Sequence, residues 1–448
     1  MKATHPLISG FGPLDTMGWT RGSAVSAAQF CAAALELART LPKRRFVINL
    51  CDNRFNFILA FGAALIARQV SLLPQSRAVA TLRDLHASHP DCYCVADDGG
   101  LPVGLPAIMI PPWRSIQSRA EVPAIASDQM AMIAFTSGST GRAQAHSRTW
   151  GSLVIAAELL NRRLNLAPRG ECSILGTVPP QHVYGFETTV MFPLQSGVPV
   201  HAGRPLLPAD VAAALNEIPG ERWLATTPAH LRTLLATKTP LPRLAGILSA
   251  TMPLSPELAA AAERAWSATI HEIYGCTETG VVALRNPTRS ASWRVNEGIR
   301  LSQKGDETWV QGGQLGRATK LPDRIALSSD TEFTLLGRPE DMVKIAGKRA
   351  SLEALNQELL GVRGVCDGAF FVPEPSPALK ERLAAVVVAP GLNATDILRA
   401  LRERVDSAFL PRPLLIVDAL PRNATGKLPR AALLALAKAA KTRGRRSA

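Results

Sequence analysis

Met130-Ala131-Met132-Ile133-Ala134-Phe135 runs without a break into Thr136-Ser137-Gly138-Ser139-Thr140-Gly141-Arg142. The six apolar residues, bounded by a turn signal, read as a buried strand, and the stretch after them reads as a loop at that strand's end. Gly138 and Gly141 leave room for the backbone to bend, so that successive N–H groups can converge on an anion. Thr136, Ser137, Ser139 and Thr140 add donors that carry no charge. Taken alone, the loop is either a phosphate cradle or a plain Ser/Gly turn. It is not a Walker A loop, because Gly-x-x-x-x-Gly-Lys-Ser/Thr occurs nowhere in the chain.

The same texture extends to either side. Phe46 to Leu50, Ser173 to Val178, Leu244 to Leu248 and Thr269 to Tyr274 also read as buried strands, with amphipathic helices between them. Ser23 is expected to cap a helix from Ala24 to Leu41. Ser255-Pro256-Glu257 opens another that runs to Trp266, with the proline in the first turn, where its missing N–H costs little. This βαβα order predicts an α/β fold: a large N-terminal domain, residues 1–337, of stacked, mostly parallel sheets covered by helices. Past Gly337 the pattern becomes compact. A strand near Met342 to Ile345, a helix from Ser351, strands near Ala369 to Val372 and Ala384 to Val388, and a helix from Thr395 predict a small α+β C-terminal domain over residues 341–448.

Composition narrows the function classes. With 448 residues, 47% hydrophobic and 19% charged, the chain is neither disordered nor collagenous nor a coiled coil. Its longest uncharged apolar run, Phe57 to Ala67, is short of the roughly 20 residues that a bilayer crossing needs. Met1-Lys2-Ala3-Thr4-His5-Pro6 offers no signal-peptide core, so a cytoplasmic protein without a membrane span is expected. The 7 cysteines form no C-x-x-C pair and are expected to be reduced core residues. A net charge of +14 attracts polyanions such as nucleotides, phosphopantetheine carriers or nucleic acid, and it equally serves solubility. The basic tail, Lys438, Lys441, Arg443, Arg445 and Arg446, reads as a solvated helix end. Without a nucleic-acid-binding motif beside it, nucleic acid is not expected as a partner.

Two further stretches carry chemistry. Tyr274-Gly275-Cys276-Thr277-Glu278-Thr279-Gly280 ends a predicted strand with a ring that can stack a purine, a hydroxyl for phosphate and a carboxylate for Mg²⁺. Leu420-Pro421-Arg422-Asn423-Ala424-Thr425-Gly426-Lys427 sets a lysine on a glycine-flexed loop, from which it can reach charge developing on phosphate. Read singly, the first could be a strand-ending turn and the second a solvated surface lysine.

Together, in this order, and with Gly337-Arg338-Pro339-Glu340-Asp341 between them, these stretches resemble the adenylate-forming superfamily of acyl-CoA synthetases, peptide adenylation domains and firefly luciferase. The likeness runs from about Ala131 to Arg430. It implies an ATP-dependent ligase that joins a carboxylic acid to the thiol of coenzyme A, or of phosphopantetheine on an acyl carrier protein, through an acyl adenylate. Thr136, Ser137, Gly138, Ser139, Thr140 and Gly141 would hold the β- and γ-phosphates. Tyr274, Gly275 and Thr277 would meet adenine and the α-phosphate, while Glu278, with Thr136, would hold Mg²⁺. Asp323 and Arg338 would face the ribose, and Lys427 would bridge the carboxylate and the α-phosphate. Pro179-Pro180-Gln181-His182-Val183-Tyr184-Gly185 resembles the family's segment beside the acyl pocket. Ser249-Ala250-Thr251 resembles its pocket-lining strand end, and Gly275 also borders that pocket. Glu340 would be the hinge, and Gly347 would leave room for pantetheine.

The chain also departs from the family. Gln144 stands where the phosphate loop usually continues to a lysine, leaving Arg142 or Arg148 to supply a cation. Leu321-Pro322 replaces the usual Thr-Gly before Asp323. These departures keep a second reading open, a nucleotide-binding homologue without activity. The charge surplus keeps a third, a basic nucleic-acid or membrane-surface protein.

Overall fold

The computed structural model describes residues 3–20, 23–97, 104–110, 120–137, 143–166, 172–305, 307–337, 341–345, 348–373, 382–422 and 428–446. Among them, Met130–Ser137 is a strand of a six-stranded sheet whose order is Ala143–Thr149, Met130–Ser137, Val70–Leu73, Phe46–Asn49, Cys92–Ala96 and Ala107–Met109. All neighbours are parallel except the edge strand Ala143–Thr149, which returns antiparallel with Gln144 opposite Thr136. A second sheet of 11 strands has a parallel centre: Thr16–Thr20, Val200–His201, Cys172–Gly176, Glu221–Thr226, Gly246–Ser249 and Thr269–Cys276. Beyond Thr269–Cys276 it turns antiparallel through Gly280–Arg285, Trp293–Val295, Glu332–Gly337 and Arg324–Leu327.

Alternation within the central strands builds two cores. Ile174, Trp223 and Leu248 face inward and join Val47, Tyr93 and Met132 of the first sheet, with Phe57, Phe61 and Trp150 from the helices sandwiched between. Leu175, Leu224 and Ile247 point the other way, against the helices Pro208–Glu217, Pro228–Ala236 and Pro256–Trp266. The helix Arg54–Ile66 is buried almost all round, which accounts for the long apolar run at Phe57 to Ala67. No helix among the described residues is long and apolar enough to cross a membrane.

Two expectations need correction. Ser23–Ser26 is a strand paired with Thr16–Thr20, and the helix spans Ala27–Thr40. Ser26 caps it, because Gln29 three residues on completes a capping box: Ser26 Oγ accepts from the Gln29 amide at 3.2 Å, and the Ser26 amide donates to Gln29 Oε1 at 2.9 Å. The cysteines are free, and Cys31, Cys51, Cys92, Cys94 and Cys172 are buried as expected, but Cys366 is exposed and Cys276 partly so.

Residues from Met342 onward form a hairpin, Met342–Ile345 with Lys348–Ser351, and a three-stranded sheet of Asp367–Phe371, Ala384–Val388 and Leu414–Ile416. With the helices Leu352–Leu360 and Ala394–Arg402 they enclose a core of their own around Val343, Leu359, Phe370, Val387 and Leu401.

Candidate functional site

The parallel strands of the large sheet end side by side. Gly176 lies opposite Ala225, Thr226 opposite Ser249, and Ser249 opposite Glu272. From these ends the chain passes directly into Pro179–Gly185, Thr227–His230, Ala250–Pro253 and Thr277–Glu278, so motifs far apart in sequence share one edge. In open α/β sheets, ligands bind in the crevice outside the carboxyl ends of the strands.

Thr136, on the first sheet, meets the second sheet's turn through a residue that the sequence reading missed. His146 Nε2 is 3.2 Å from Thr136 Oγ1 and 3.6 Å from Glu278 Oε1. The spacing Gln144, His146, Arg148 sets all three on one face of a strand, but the largely polar stretch Ala143–Thr149 carries no strand pattern of its own. Burial deepens along the face: Gln144 is exposed, His146 half-buried and Arg148 buried. Arg148 is buried, and its charge acts on the buried Glu187. Ser137 ends its strand opposite Ala143; Gly138, Ser139, Thr140, Gly141 and Arg142 lie outside the described residues. The Thr136 hydroxyl and the one-third exposed Glu278 carboxylate are hard oxygen donors brought to one place, which fits Mg²⁺ that also takes phosphate oxygens and water.

Tyr274 and Asp323, 49 residues apart, touch: the phenol donates to Asp323 Oδ2 at 2.9 Å. The Tyr274 ring is buried, tilted on Trp293 at 5.6 Å and edge-on to Phe333 at 5.3 Å. Leu321-Pro322 thus still delivers the aspartate to the tyrosine. At Gly275 an added Cβ would lie 2.1 Å from the Gly280 carbonyl oxygen, and Gly280 itself sits at φ +70°. Burial pushes the Cys276 thiol up to about 12, which favours its protonated form.

His182 occupies the residue before the short helix Val183–Phe186. Gly185 is needed there, since a Cβ would stand 2.1 Å from the Pro179 carbonyl oxygen. The Tyr184 hydroxyl donates to the carbonyls of Thr226 (3.1 Å) and Leu248 (2.9 Å), fastening this segment over the strand ends. Arg54, also unforeseen, is fully buried and donates to the carbonyls of Gly176 (2.8 Å) and Val178 (2.7 Å) beneath it; burial lowers its pKa to about 9. Ser249 and Ala250 are buried, and Thr251 adopts φ +78°, a strained backbone for a β-branched residue.

Arg338, Glu340, Gly347 and Lys427 lie outside the described residues. Arg422, just before the stretch holding Lys427, makes a two-pronged pair with Asp367 at 2.6 and 2.7 Å and reaches the Met252 sulfur at 3.9 Å. Arg422 is thereby placed against Met252 of the Ser249–Pro253 segment.

The AMP-binding enzyme family matches residues 16–303, and the chain belongs to it. It is 27% identical over 302 residues to a 4-coumarate–CoA ligase of Cereibacter sphaeroides, covering 65% of this chain and 69% of that one. It is likewise 27% identical over 341 residues to a probable 2-succinylbenzoate–CoA ligase of Mycobacterium tuberculosis, covering 68% and 84%. In fold it is similar to an anthranilate CoA ligase solved with anthranoyl-AMP, with a TM-score of 0.80 at 16% identity over 97% of this chain and 95% of that one.

Proposed function

We propose that this protein is an AMP-forming acid–thiol ligase: it activates a carboxylic acid with ATP as an acyl adenylate and passes the acyl group to a pantetheine thiol. The observation that carries the reading is the junction of Thr136, His146 and Glu278, with Tyr274, on the strand that leads to Glu278, bonded to Asp323. Two anions must react in the first step, so positive charge and N–H donors have to surround them. Glu278 and Thr136 would hold Mg²⁺, which when bound neutralises phosphate charge and orients the polyphosphate. Asp323, held by the Tyr274 phenol, would face the ribose hydroxyls. His182, Gly185, Ser249, Ala250 and Thr251 would border the acid, and Lys427 would bring its ammonium group between the carboxylate and the α-phosphate.

In the second step the thiol displaces AMP. Residues 341–448 would turn about a hinge at Glu340, withdrawing Lys427 and presenting Gly347 to the thiol. Relatives named for coumarate, succinylbenzoate and anthranilate favour an aryl acid over a fatty one and coenzyme A over a carrier protein. Gln144, in place of the usual lysine, favours a second reading, a homologue that binds nucleotide without turnover.

Acid-dependent pyrophosphate exchange with benzoates, cinnamates and fatty acids decides between them. Exchange is expected with at least one aryl acid, and Lys427→Ala should lower it about a hundredfold, a loss of about 3 kcal/mol of transition-state stabilisation. ATP binding without exchange for any acid would support the second reading. Wild type and Lys427→Ala responding alike would remove Lys427 from the mechanism.

A further inference from the structure

Glu187 comes two residues after Gly185, where the helix Val183–Phe186 gives way to a π-helical turn, Glu187–Met191, a local irregularity frequent at functional sites. Its carboxylate is buried and crosses to the second sheet, where Oε2 accepts from the Val281 amide at 2.6 Å. Oε1 occupies the space that a side chain at Gly280 would need: a Cβ there would lie 2.1 Å from it, and the left-handed φ of +70° suits glycine alone. Oε1 has no hydrogen-bond partner among the described residues.

From its other side the same turn is held by Gln314, whose buried amide donates to the carbonyls of Thr279 and Val281, both at 3.0 Å. Thr277 and Glu278 therefore stand on a turn whose base is gripped by side chains from two distant elements. Arg148, whose charge favours the ionised form of Glu187 against the opposing effect of burial, lies two residues beyond His146, which touches both Thr136 and Glu278. One carboxylate thus links the acyl-side segment to the metal-side turn and feels the charge of Arg148 on the strand that carries His146.

We propose that Glu187 is a positioning residue that couples the acyl-side segment to the metal-bearing turn, setting the height of Thr277 and Glu278 through Gly280 and Val281. The inference rests on the function proposed above and adds a residue to it. Its physical basis is rigidity: buried, well-packed contacts transmit a displacement of one element to the next. A shift of the helix carrying Gly185 on filling the acid site moves Glu187, and with it the metal ligands, so Mg·ATP and acid strengthen each other's binding. By linkage the effect is the same in either direction.

The test measures binding rather than turnover, by calorimetric titration of ATP with Mg²⁺ and of ATP with EDTA. Two double variants remove both buried charges together, so that neither is stranded: Glu187→Leu with Arg148→Met loses the acceptor for Val281, while Glu187→Gln with Arg148→Met keeps it. Mg·ATP is expected to bind at least about tenfold more weakly to the Leu variant and within about threefold of wild type to the Gln variant, with metal-free ATP unchanged in both. If the Leu variant does not fold, Gln314→Leu loosens the same turn from the other side and should show the same metal-specific loss. Equal weakening of metal-free and Mg·ATP binding, or wild-type Mg·ATP affinity in the Leu variant, would overturn the coupling. A wild type that binds no nucleotide at all would overturn the functional reading and the coupling with it.

Discussion

Gly275→Ala is a demanding test, because surface rules and this structure predict opposite signs for it. Gly275 is exposed, and replacing an exposed glycine at ordinary φ by alanine commonly stabilises by about 0.4–1 kcal/mol through the unfolded chain. Here the new Cβ would stand 2.1 Å from the Gly280 carbonyl oxygen and 3.0 Å from Val281 Cα, both backbone atoms of the partner strand. Ordinary contact begins at 3.4 Å, so the two strands must part by about 1.3 Å. That opening pulls Val281 from the Glu187 carboxylate and shifts Thr277 and Glu278. Overpacking of this size costs about 1–3 kcal/mol of stability, and a displacement of about 1 Å at reacting groups costs on the order of a hundredfold in rate. Gly316→Ala, where a Cβ meets nothing within 4 Å, is the matched control. Urea denaturation and acid-dependent pyrophosphate exchange of both variants give the comparison. A Gly275→Ala protein as stable and as active as the control would refute the steric reasoning.

Other outcomes follow from single contacts. Tyr274→Phe removes the donor to Asp323 and should raise the KM for ATP about fivefold with little change in kcat, read from exchange kinetics at fixed acid. His230 and His271 are held below their ordinary 6.5 by burial, so the unfolded chain takes up protons first as pH falls. Stability that is full above pH 7 should therefore decline below about 6.5, by at most about 1.4 kcal/mol per pH unit for each histidine. His230→Asn should remove one share of that slope in denaturation curves at pH 7.5 and 5.5.

What could be read from the sequence followed burial. Strands covered on both faces, such as Cys172–Gly176 and Gly246–Ser249, are short, largely apolar runs that the sequence places within two residues, as it does the helix opened by Ser255 and Pro256. Ile299–Lys304 and its antiparallel neighbours have one face in water, so their alternation merged with loop texture and went unread. The site divides in the same way. Tyr274 and Glu278 stand out as chemistry at a strand end, while Asp323 enters only through the family resemblance. His146 sits on an edge strand whose partner had to be known before its direction could be. Glu187 and Gln314 were invisible because a buried polar residue has meaning only through the atom it faces, here the Val281 amide and the Thr279 and Val281 carbonyls. Arg54 is the strongest case: a lone arginine before an apolar helix reads as surface, yet its guanidinium lies wholly inside, bonded to the carbonyls of Gly176 and Val178.

The central claim is that a carboxylate oxygen attacks the α-phosphorus of ATP. Turnover with an acid ¹⁸O-labelled in its carboxyl group, followed by mass spectrometry of the nucleotide product, tests it directly. AMP carrying one ¹⁸O atom in its phosphate is the expected product; ADP, or AMP without label, would exclude that attack.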